Sequence, residues 1–186
     1  TAQERSRSQF CEMSQLAAGF TKLNVDTRFS IFPGVETKGW YAPYVTAAVR
    51  MYSIIAGYPD GRFMPNNDIP YGQAVTILIR MLGYTDADVG MFWPRDYINK
   101  AADLKLNENL SAIGANDSVT RGQAALLIKN MLLADTKEGT KYIDGVFGTT
   151  SEYVLAATEK TSSATKSGKI TVWDGSAITT LTTEVS

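Results

Sequence analysis

Two stretches of the sequence, PYGQAVTILIRMLG at residues 70–83 and TRGQAALLIKNMLL at residues 120–133, follow one pattern and decide the fold. Apolar residues in both recur at offsets 0, 3, 4, 7 and 8, counted from Ala74 and from Ala124. That spacing places them on one face of an α-helix. A third stretch, which opens with SRSQ at residues 6–9, begins in the same way. The sequence therefore predicts three similar helices with buried apolar faces.

A second repeated element precedes the two later helices. Trp40 opens the segment WYAPYV, and Trp93 opens the similar segment WPRDYI. Pro43 and Pro94 suit the first turn of a helix, where a backbone N–H is not needed. We therefore predict two helix-loop-helix units, at about residues 36–84 and 91–134, and only the second helix of an earlier unit within residues 1–25.

The composition changes after about residue 136. Residues 137–140 are typical of a linker, and β-branched and aromatic residues are then concentrated at 152–158, 169–173 and 177–185. Such runs predict β-strands, and the pair Asp174-Gly175 is a strong hairpin signal. We expect a short β-rich segment that begins a further domain.

The composition also excludes whole classes of function. The 186 residues contain no histidine, which removes the commonest general base and metal ligand. Lys and Arg number 18 against 19 Asp and Glu, so the net charge of -1 argues against nucleic acid as a partner. No apolar run approaches the ~20 residues that a membrane span requires. Cys11, the single cysteine, lies in an apolar helical pattern that favours burial over a reactive thiol.

The loop between the helices of the middle unit identifies a family resemblance. After the helix start at Trp40 come IIAGYPDGRF at residues 54–63, NDI at 67–69 and the helix that includes Gln73. This order resembles an S-layer homology (SLH) repeat, with its Trp-Ala helix start, Gly-Tyr-Pro-Asp-Gly-x-Phe loop and Ile-Thr-Arg-Ala-Glu helix start. The resemblance covers about residues 1–134.

The resemblance implies a mainly α fold, in which SLH-type helix-loop-helix repeats form a helical bundle followed by the short β-rich segment. We expect the second half of a repeat at residues 1–25, repeats at 26–84 and 85–135, a linker at 136–150 and the β-rich segment at 151–186.

The resemblance also implies a function. SLH repeats anchor proteins to the bacterial cell surface by binding secondary cell-wall polysaccharide, often pyruvylated, in grooves between repeats. We therefore expect a non-catalytic anchor that binds cell-wall polysaccharide and uses no cofactor or metal. Two alternatives stay open: a structural module that self-assembles with neighbouring S-layer subunits, and the anchor of a surface enzyme whose catalytic part lies outside these residues.

Arginines at two of the helix starts are the first candidate ligands. Ser6 with Gln9, and Thr120 with Gln123, have the spacing of capping boxes. Arg7 and Arg121 stand in the first turn, where a cation opposes the helix dipole, and an anionic sugar substituent would satisfy both the helix end and the guanidinium. A solvated arginine or an ion pair to a neighbouring repeat is the alternative.

The middle repeat departs from this pattern. Tyr71 replaces the arginine and Pro70 the capping residue, so its groove is expected to bind weakly or by stacking alone. The acidic residue of the family pattern is glutamine in all three copies, at Gln9, Gln73 and Gln123.

Four further residues have both a structural and a binding interpretation. Gly57 and Asp60 belong to a tight-turn sequence that Phe63 can anchor in the core, or they contact sugar hydroxyls at the groove. Trp40 and Trp93 either pack within their own repeats or offer a flat face to a sugar ring.

Overall fold

A computed structural model describes residues 3–20, 25–50, 53–148, 154–158, 160, 169–173 and 177–182. The chain divides into two compact units, residues 1–148 and 149–186. The first unit is helical and the second is a β-sheet, so the expected mainly α fold with a short β segment is confirmed. The finer division into a half-repeat, two repeats and a linker stays a prediction.

Seven helices are found among the described residues of the first unit. They are α1 (Arg7–Ala17), α2 (Ala42–Arg50), α3 (Tyr71–Met81), α4 (Asp86–Val89), α5 (Arg95–Asp103), α6 (Arg121–Leu133) and α7 (Tyr142–Phe147). The five longer helices confirm the sequence prediction. The short α4 and α7 were not predicted, since four and six residues are too few to show a helical period. None of the described helices is long and apolar enough to cross a membrane.

The predicted capping boxes close two of the helices. In α1 the Ser6 hydroxyl accepts from the N–H of Gln9 at 3.3 Å, and the Gln9 side chain accepts from the N–H of Ser6 at 3.0 Å. Thr120 and Gln123 form the same pair of bonds at the start of α6. Each box satisfies N–H groups that a helix start leaves without partners.

The apolar faces pack into one core. Leu78 of α3 and Leu127 of α6 are completely buried, as the periodicity predicts. Helix α3 packs against α5 and α6, while α1 packs against α2 and also contacts α3 and α6. Phe10 of α1 and Phe63 of the loop before α3 are buried in the same cluster. The burial of Phe63 confirms that it anchors this loop.

A ring of backbone hydrogen bonds joins the segments that precede α1, α3 and α6. The N–H of Arg5 donates to the carbonyl of Val119 at 2.9 Å, that of Val119 to Ile69 at 3.0 Å, and that of Ile69 back to Arg5 at 2.9 Å. We call these three residues and the bonds between them the hub. It fixes the three helix starts beside one another although they lie far apart in the sequence.

A second set of bonds, with donors two residues further along the chain, joins the same three segments in the opposite direction. The first residue of each helix donates its N–H to the segment before another helix: Arg7 to Asn67 at 2.9 Å, Tyr71 to Asp117 at 2.9 Å and Arg121 to Gln3 at 2.8 Å. Helix starts leave such groups without partners inside the helix. Here the segment before one helix supplies the carbonyl acceptor for the first N–H of another helix. The three helix starts are thus related by an approximately threefold arrangement.

One position of the hub differs from the other two. Ile69 and Val119 are completely buried apolar residues, whereas Arg5, which is 8% exposed, places a guanidinium there. Its Nε donates to the carbonyl of Glu4 at 3.0 Å, but its Nη2 is buried without a hydrogen-bond partner. An unsatisfied buried polar group costs stability.

The second unit is a three-stranded antiparallel sheet in the order β1-β2-β3, with β1 (Val154–Thr158), β2 (Lys169–Trp173) and β3 (Ile178–Thr182). The register of β2 and β3 runs from Lys169 opposite Thr182 to Trp173 opposite Ile178. All three predicted strands are present. The hairpin predicted at Asp174-Gly175 lies outside the described residues.

Replacing the hub arginine by the residue type found at the other two positions should stabilise the first unit. We expect Arg5→Ile to raise its free energy of unfolding by about 1–3 kcal/mol, because the unpaired Nη2 is removed. Chemical denaturation followed by circular dichroism measures this change. Arg28→Ala, at an exposed arginine, is the control, since surface substitutions usually change stability by less than about 0.5 kcal/mol. A loss of stability in Arg5→Ile would show that the guanidinium supports the hub.

Candidate functional site

A cleft of about 430 Å³ lies in the first unit, where the start of α1, the loop before α3 and one side of α3 meet. Trp93, from the segment that leads into α5, forms part of its wall. Its lining residues come from widely separated parts of the chain: Arg7, residues 54–59, Gln73, Thr76, Ile77, Arg80 and Trp93.

Arg7 is the buried cation of this cleft. It is 6% exposed, its Nε donates to the carbonyl of Phe63 at 2.8 Å, and its Nη1 donates to the side-chain oxygen of Gln73. The guanidinium carbon lies 4.5 Å from the ring centre of Tyr58 and 4.8 Å from that of Phe63. These are cation–π distances. Burial lowers the pKa of Arg7 from its ordinary value, which still leaves an arginine charged near neutral pH.

Gln73 reaches Arg7 because α3 begins differently from α1 and α6. Pro70, the residue before α3, has neither a side-chain oxygen nor a backbone N–H, and no side-chain cap forms. The Gln73 side chain instead accepts from Arg7 and donates to the Tyr58 hydroxyl at 3.2 Å. The proline therefore redirects into the cleft a side chain that caps the helix in the other two copies.

Arg80 supplies a second guanidinium, which is held by an aspartate. Its Nη2 lies 2.9 Å from Oδ1 of Asp86, and the Tyr97 hydroxyl donates to the same oxygen at 2.5 Å. The hydrogen bond from Tyr97, followed by that from Arg80, lowers the pKa of Asp86. Because this carboxylate is ionised and paired with Arg80, Arg7 carries most of the uncompensated positive charge of the cleft.

The loop before α3 forms one wall of the cleft, and its backbone packs closely against neighbouring atoms at Gly57. A Cβ there would lie 2.6 Å from a ring carbon of Phe32 and 3.1 Å from the carbonyl oxygen of Arg62. The turn after Gly57 is closed by the N–H of Tyr58 donating to Arg62 and that of Gly61 donating to Tyr58, both at 2.8 Å. A side chain at position 57 would therefore require Phe32 to move.

Trp93 forms an aromatic wall that is partly open to solvent. Its ring N–H donates to the Thr76 hydroxyl at 3.1 Å, and Thr76 in turn donates to the carbonyl of Gly72 at 2.7 Å. The side chain remains 56% exposed. A fixed and half-exposed indole can pack against the apolar face of a ligand.

Of the seven residues that the sequence nominates, the cleft brings together Arg7, Gly57 and Trp93. The other four lie outside its lining. Trp40 is 53% exposed and packs edge-on against Tyr41, with ring centres 5.5 Å apart. Asp60 pairs with Arg62 at 2.6 Å in the exposed turn.

Tyr71 and Arg121 occupy the same helix position as Arg7 but have different surroundings. Tyr71 is 2% exposed within the core, and burial raises the pKa of its hydroxyl. Arg121 is exposed at the start of α6. The loop at residues 54–63 packs over Arg7. Arg7 is therefore buried and Arg121 exposed, although the two arginines have similar sequence contexts.

Sequence reasoning missed Tyr58, Gln73, Thr76 and Arg80 as cleft residues. Gln73, Thr76 and Arg80 stand at offsets 0, 3 and 7, which makes a polar stripe along an otherwise apolar helix. That stripe, together with a proline in place of the capping residue, is the signal that could have found them.

No cluster of acidic or cysteine side chains that could hold a metal occurs among the described residues. Cys11 is completely buried, and burial raises the pKa of its thiol to about 12. The expectation that it packs in the core is confirmed, and a thiol with such a pKa is unreactive near neutral pH.

Comparison with known proteins finds a family match that includes part of the cleft lining. Residues 34–75 match the family model of the S-layer homology domain. The matched segment contains α2, the loop with Gly57 and the beginning of α3. The resemblance read from the sequence is therefore confirmed.

Three relatives are similar to a larger part of the chain. The "Middle cell wall protein" of Brevibacillus brevis is 30% identical over 170 residues, which are 91% of this chain and 15% of the relative. The "Cell surface protein" of Thermoanaerobacter kivui is 31% identical over 155 residues, 78% of this chain and 19% of the relative. The "Surface layer protein" of Brevibacillus choshinensis is 29% identical over 107 residues, 57% of this chain and 9% of the relative. The chain thus spans less than a fifth of each relative.

The close packing at Gly57 yields a stability prediction with an internal control. Gly57→Ala is expected to cost about 1–3 kcal/mol, because the new methyl group overlaps Phe32. Gly122→Ala should instead stabilise by up to about 1 kcal/mol, since Gly122 lies in α6 with nothing within 4 Å of an added Cβ. Thermal unfolding of the two variants measures both effects. Equal stability of the two would contradict the packing described at the loop.

Proposed function

We propose, from the S-layer homology domain that this chain carries, that it is a non-catalytic module which anchors a protein to the bacterial cell surface. Its ligand is secondary cell-wall polysaccharide, bound in the cleft between repeats through an acidic substituent such as a pyruvate ketal. The relatives named as cell-wall, cell-surface and surface-layer proteins support this location.

The observation that carries the proposal is the buried guanidinium of Arg7. A buried charge without a counter-ion is costly, and no ion pair of Arg7 is present among the described residues. A carboxylate of the glycan would supply that counter-ion with charge-assisted hydrogen bonds. Trp93, 56% exposed, would pack against the sugar ring.

The chemistry of the cleft favours binding over catalysis. The sequence has no histidine, and Asp86, the carboxylate that pairs with Arg80 of the cleft, also accepts a hydrogen bond from Tyr97. Binding of a hydroxyl-rich polymer needs hydrogen bonds, an aromatic face and a complementary charge, all of which this lining can offer. Of the other nominated residues, Trp40, Asp60, Tyr71 and Arg121 remain predicted ligands outside this cleft.

Self-assembly with neighbouring S-layer subunits is the second candidate function. Met91 is 94% exposed and Phe92 65% exposed, next to Trp93 in sequence. Exposed apolar side chains of this kind favour protein contacts. Sedimentation of the protein alone over a range of concentrations separates this candidate from glycan binding.

Binding to purified wall polysaccharide tests the proposal directly. We expect the wild-type protein to bind the polysaccharide and to lose most of its affinity when the acidic substituents are removed. Arg7→Ala should lower affinity by about 1.5–3 kcal/mol, the usual contribution of a hydrogen bond to a charged group. Arg7→Lys should recover part of it, because an ammonium keeps the charge but not the planar fork.

Two controls make the result interpretable. Arg28→Ala alters an exposed arginine paired with Asp26 and should bind normally. Near-ultraviolet circular dichroism shows whether Arg7→Ala is folded, and Arg121→Ala reports whether the exposed arginine contributes. Unchanged binding by a folded Arg7→Ala variant, or by the protein to acid-stripped polysaccharide, would refute the proposed mode of binding.

A further inference from the structure

The side-chain partner of Arg7 differs from those of the arginines that form ion pairs. Four other arginines among the described residues each pair with an aspartate, and in all four pairs at least one side chain is substantially exposed: Arg28 with Asp26, Arg62 with Asp60, Arg80 with Asp86 and Arg95 with Asp96. Arg7 is the most deeply buried of the five, yet its side-chain partner is the amide of Gln73. This buried cation therefore has a neutral side-chain acceptor in place of a carboxylate.

The Gln73 amide is held in a defined orientation. Its oxygen must face Arg7, because a guanidinium can only donate, and its NH₂ group then points to the Tyr58 hydroxyl at 3.2 Å. Tyr58 also lies against the guanidinium through its ring. The amide thus orients Arg7 without cancelling its charge.

A glutamate would occupy nearly the same space as Gln73 with the opposite electrostatic result. Arginine and carboxylate form stronger, shorter hydrogen bonds than arginine and amide. Such a pair inside the cleft would stabilise the protein and leave a ligand carboxylate facing a neutralised arginine and a nearby negative charge.

We propose that Gln73 determines the charge specificity of the cleft: its neutral amide positions Arg7 but leaves the positive charge available to an anionic ligand. This inference rests on the proposed function and goes beyond it. It assigns selectivity for acidic over neutral glycan to a residue that need not touch the glycan itself.

The test compares Gln73→Glu with a variant matched in helix position. Gln123→Glu places a carboxylate at the same point of α6, where the present side chain forms a capping box. Both changes gain from the helix dipole, and Gln123→Glu also keeps its capping bonds to Thr120, so a higher melting temperature of Gln73→Glu reports the pairing with Arg7. Gln73→Leu removes the hydrogen bonds of the amide without adding charge.

Each variant is measured for affinity to purified wall polysaccharide, intact and stripped of its acidic substituents, and for thermal stability. We expect Gln73→Glu to lose more than tenfold in affinity for the intact polysaccharide and to lose its preference for the acidic form. Gln123→Glu should bind like the wild type, and Gln73→Leu should keep the preference with a smaller loss of affinity. Gln73→Glu should also melt at a higher temperature than Gln123→Glu, by a margin that shrinks as salt is added.

The outcomes separate this inference from the proposed function. If the wild type binds and Gln73→Glu keeps its preference for acidic polysaccharide, the inference is wrong while the proposed function stands. If Gln73→Leu loses the preference as fully as Gln73→Glu, Gln73 acts only by holding Arg7 in place, and the inference is again overturned. If the wild type fails to bind, the proposed function is wrong, and equal melting temperatures of the two glutamate variants would then refute the pairing as well.

Discussion

Three backbone hydrogen bonds close a ring between Arg5, Val119 and Ile69, and the rest of the helical unit depends on where that ring places the helix starts. The bonds use main-chain groups, so they tolerate the change from Ile69 and Val119 to Arg5. They also satisfy N–H and C=O groups that would otherwise be buried without partners beside the core. Side-chain packing along α1, α3 and α6 then follows from a geometry that the main chain has already set.

The candidate site is a consequence of this arrangement. With α1 fixed beside the segment that leads into α3, Arg7 meets Phe63, Tyr58 and Gln73, none of which is near it in sequence. Burial of the charge costs free energy, and two neutral acceptors and two aromatic rings offset only part of that cost. The remaining electrostatic imbalance is the basis of the proposed binding of an anion.

Local sequence patterns predicted the helices because apolar periodicity and capping boxes are properties of consecutive residues. Leu78 and Leu127 are buried where the period places them, and Ser6 and Thr120 cap where their spacing to glutamine requires. The ring of backbone bonds has no such signature, since any residue but proline can form it.

The sequence does not predict the surroundings of single residues, because these depend on contacts between distant parts of the chain. Arg7 and Arg121 both open helices after a capping residue, yet one is buried in the cleft and the other exposed. Their difference arises from the loop that packs against Arg7, a contact between distant parts of the chain. Gln73 stands where Gln9 and Gln123 cap their helices, whereas Pro70 makes that role impossible, and the Gln73 side chain contacts Arg7 instead.

Native-state hydrogen exchange at the amides of Arg5, Ile69 and Val119 tests most directly whether the ring governs the helical unit. If it does, the three amides exchange only by global unfolding and share one free energy of opening, equal within about 1 kcal/mol to the stability of the unit measured by denaturation. An amide of the ring that exchanges through a local opening of much lower free energy, while the others stay protected, would contradict this account.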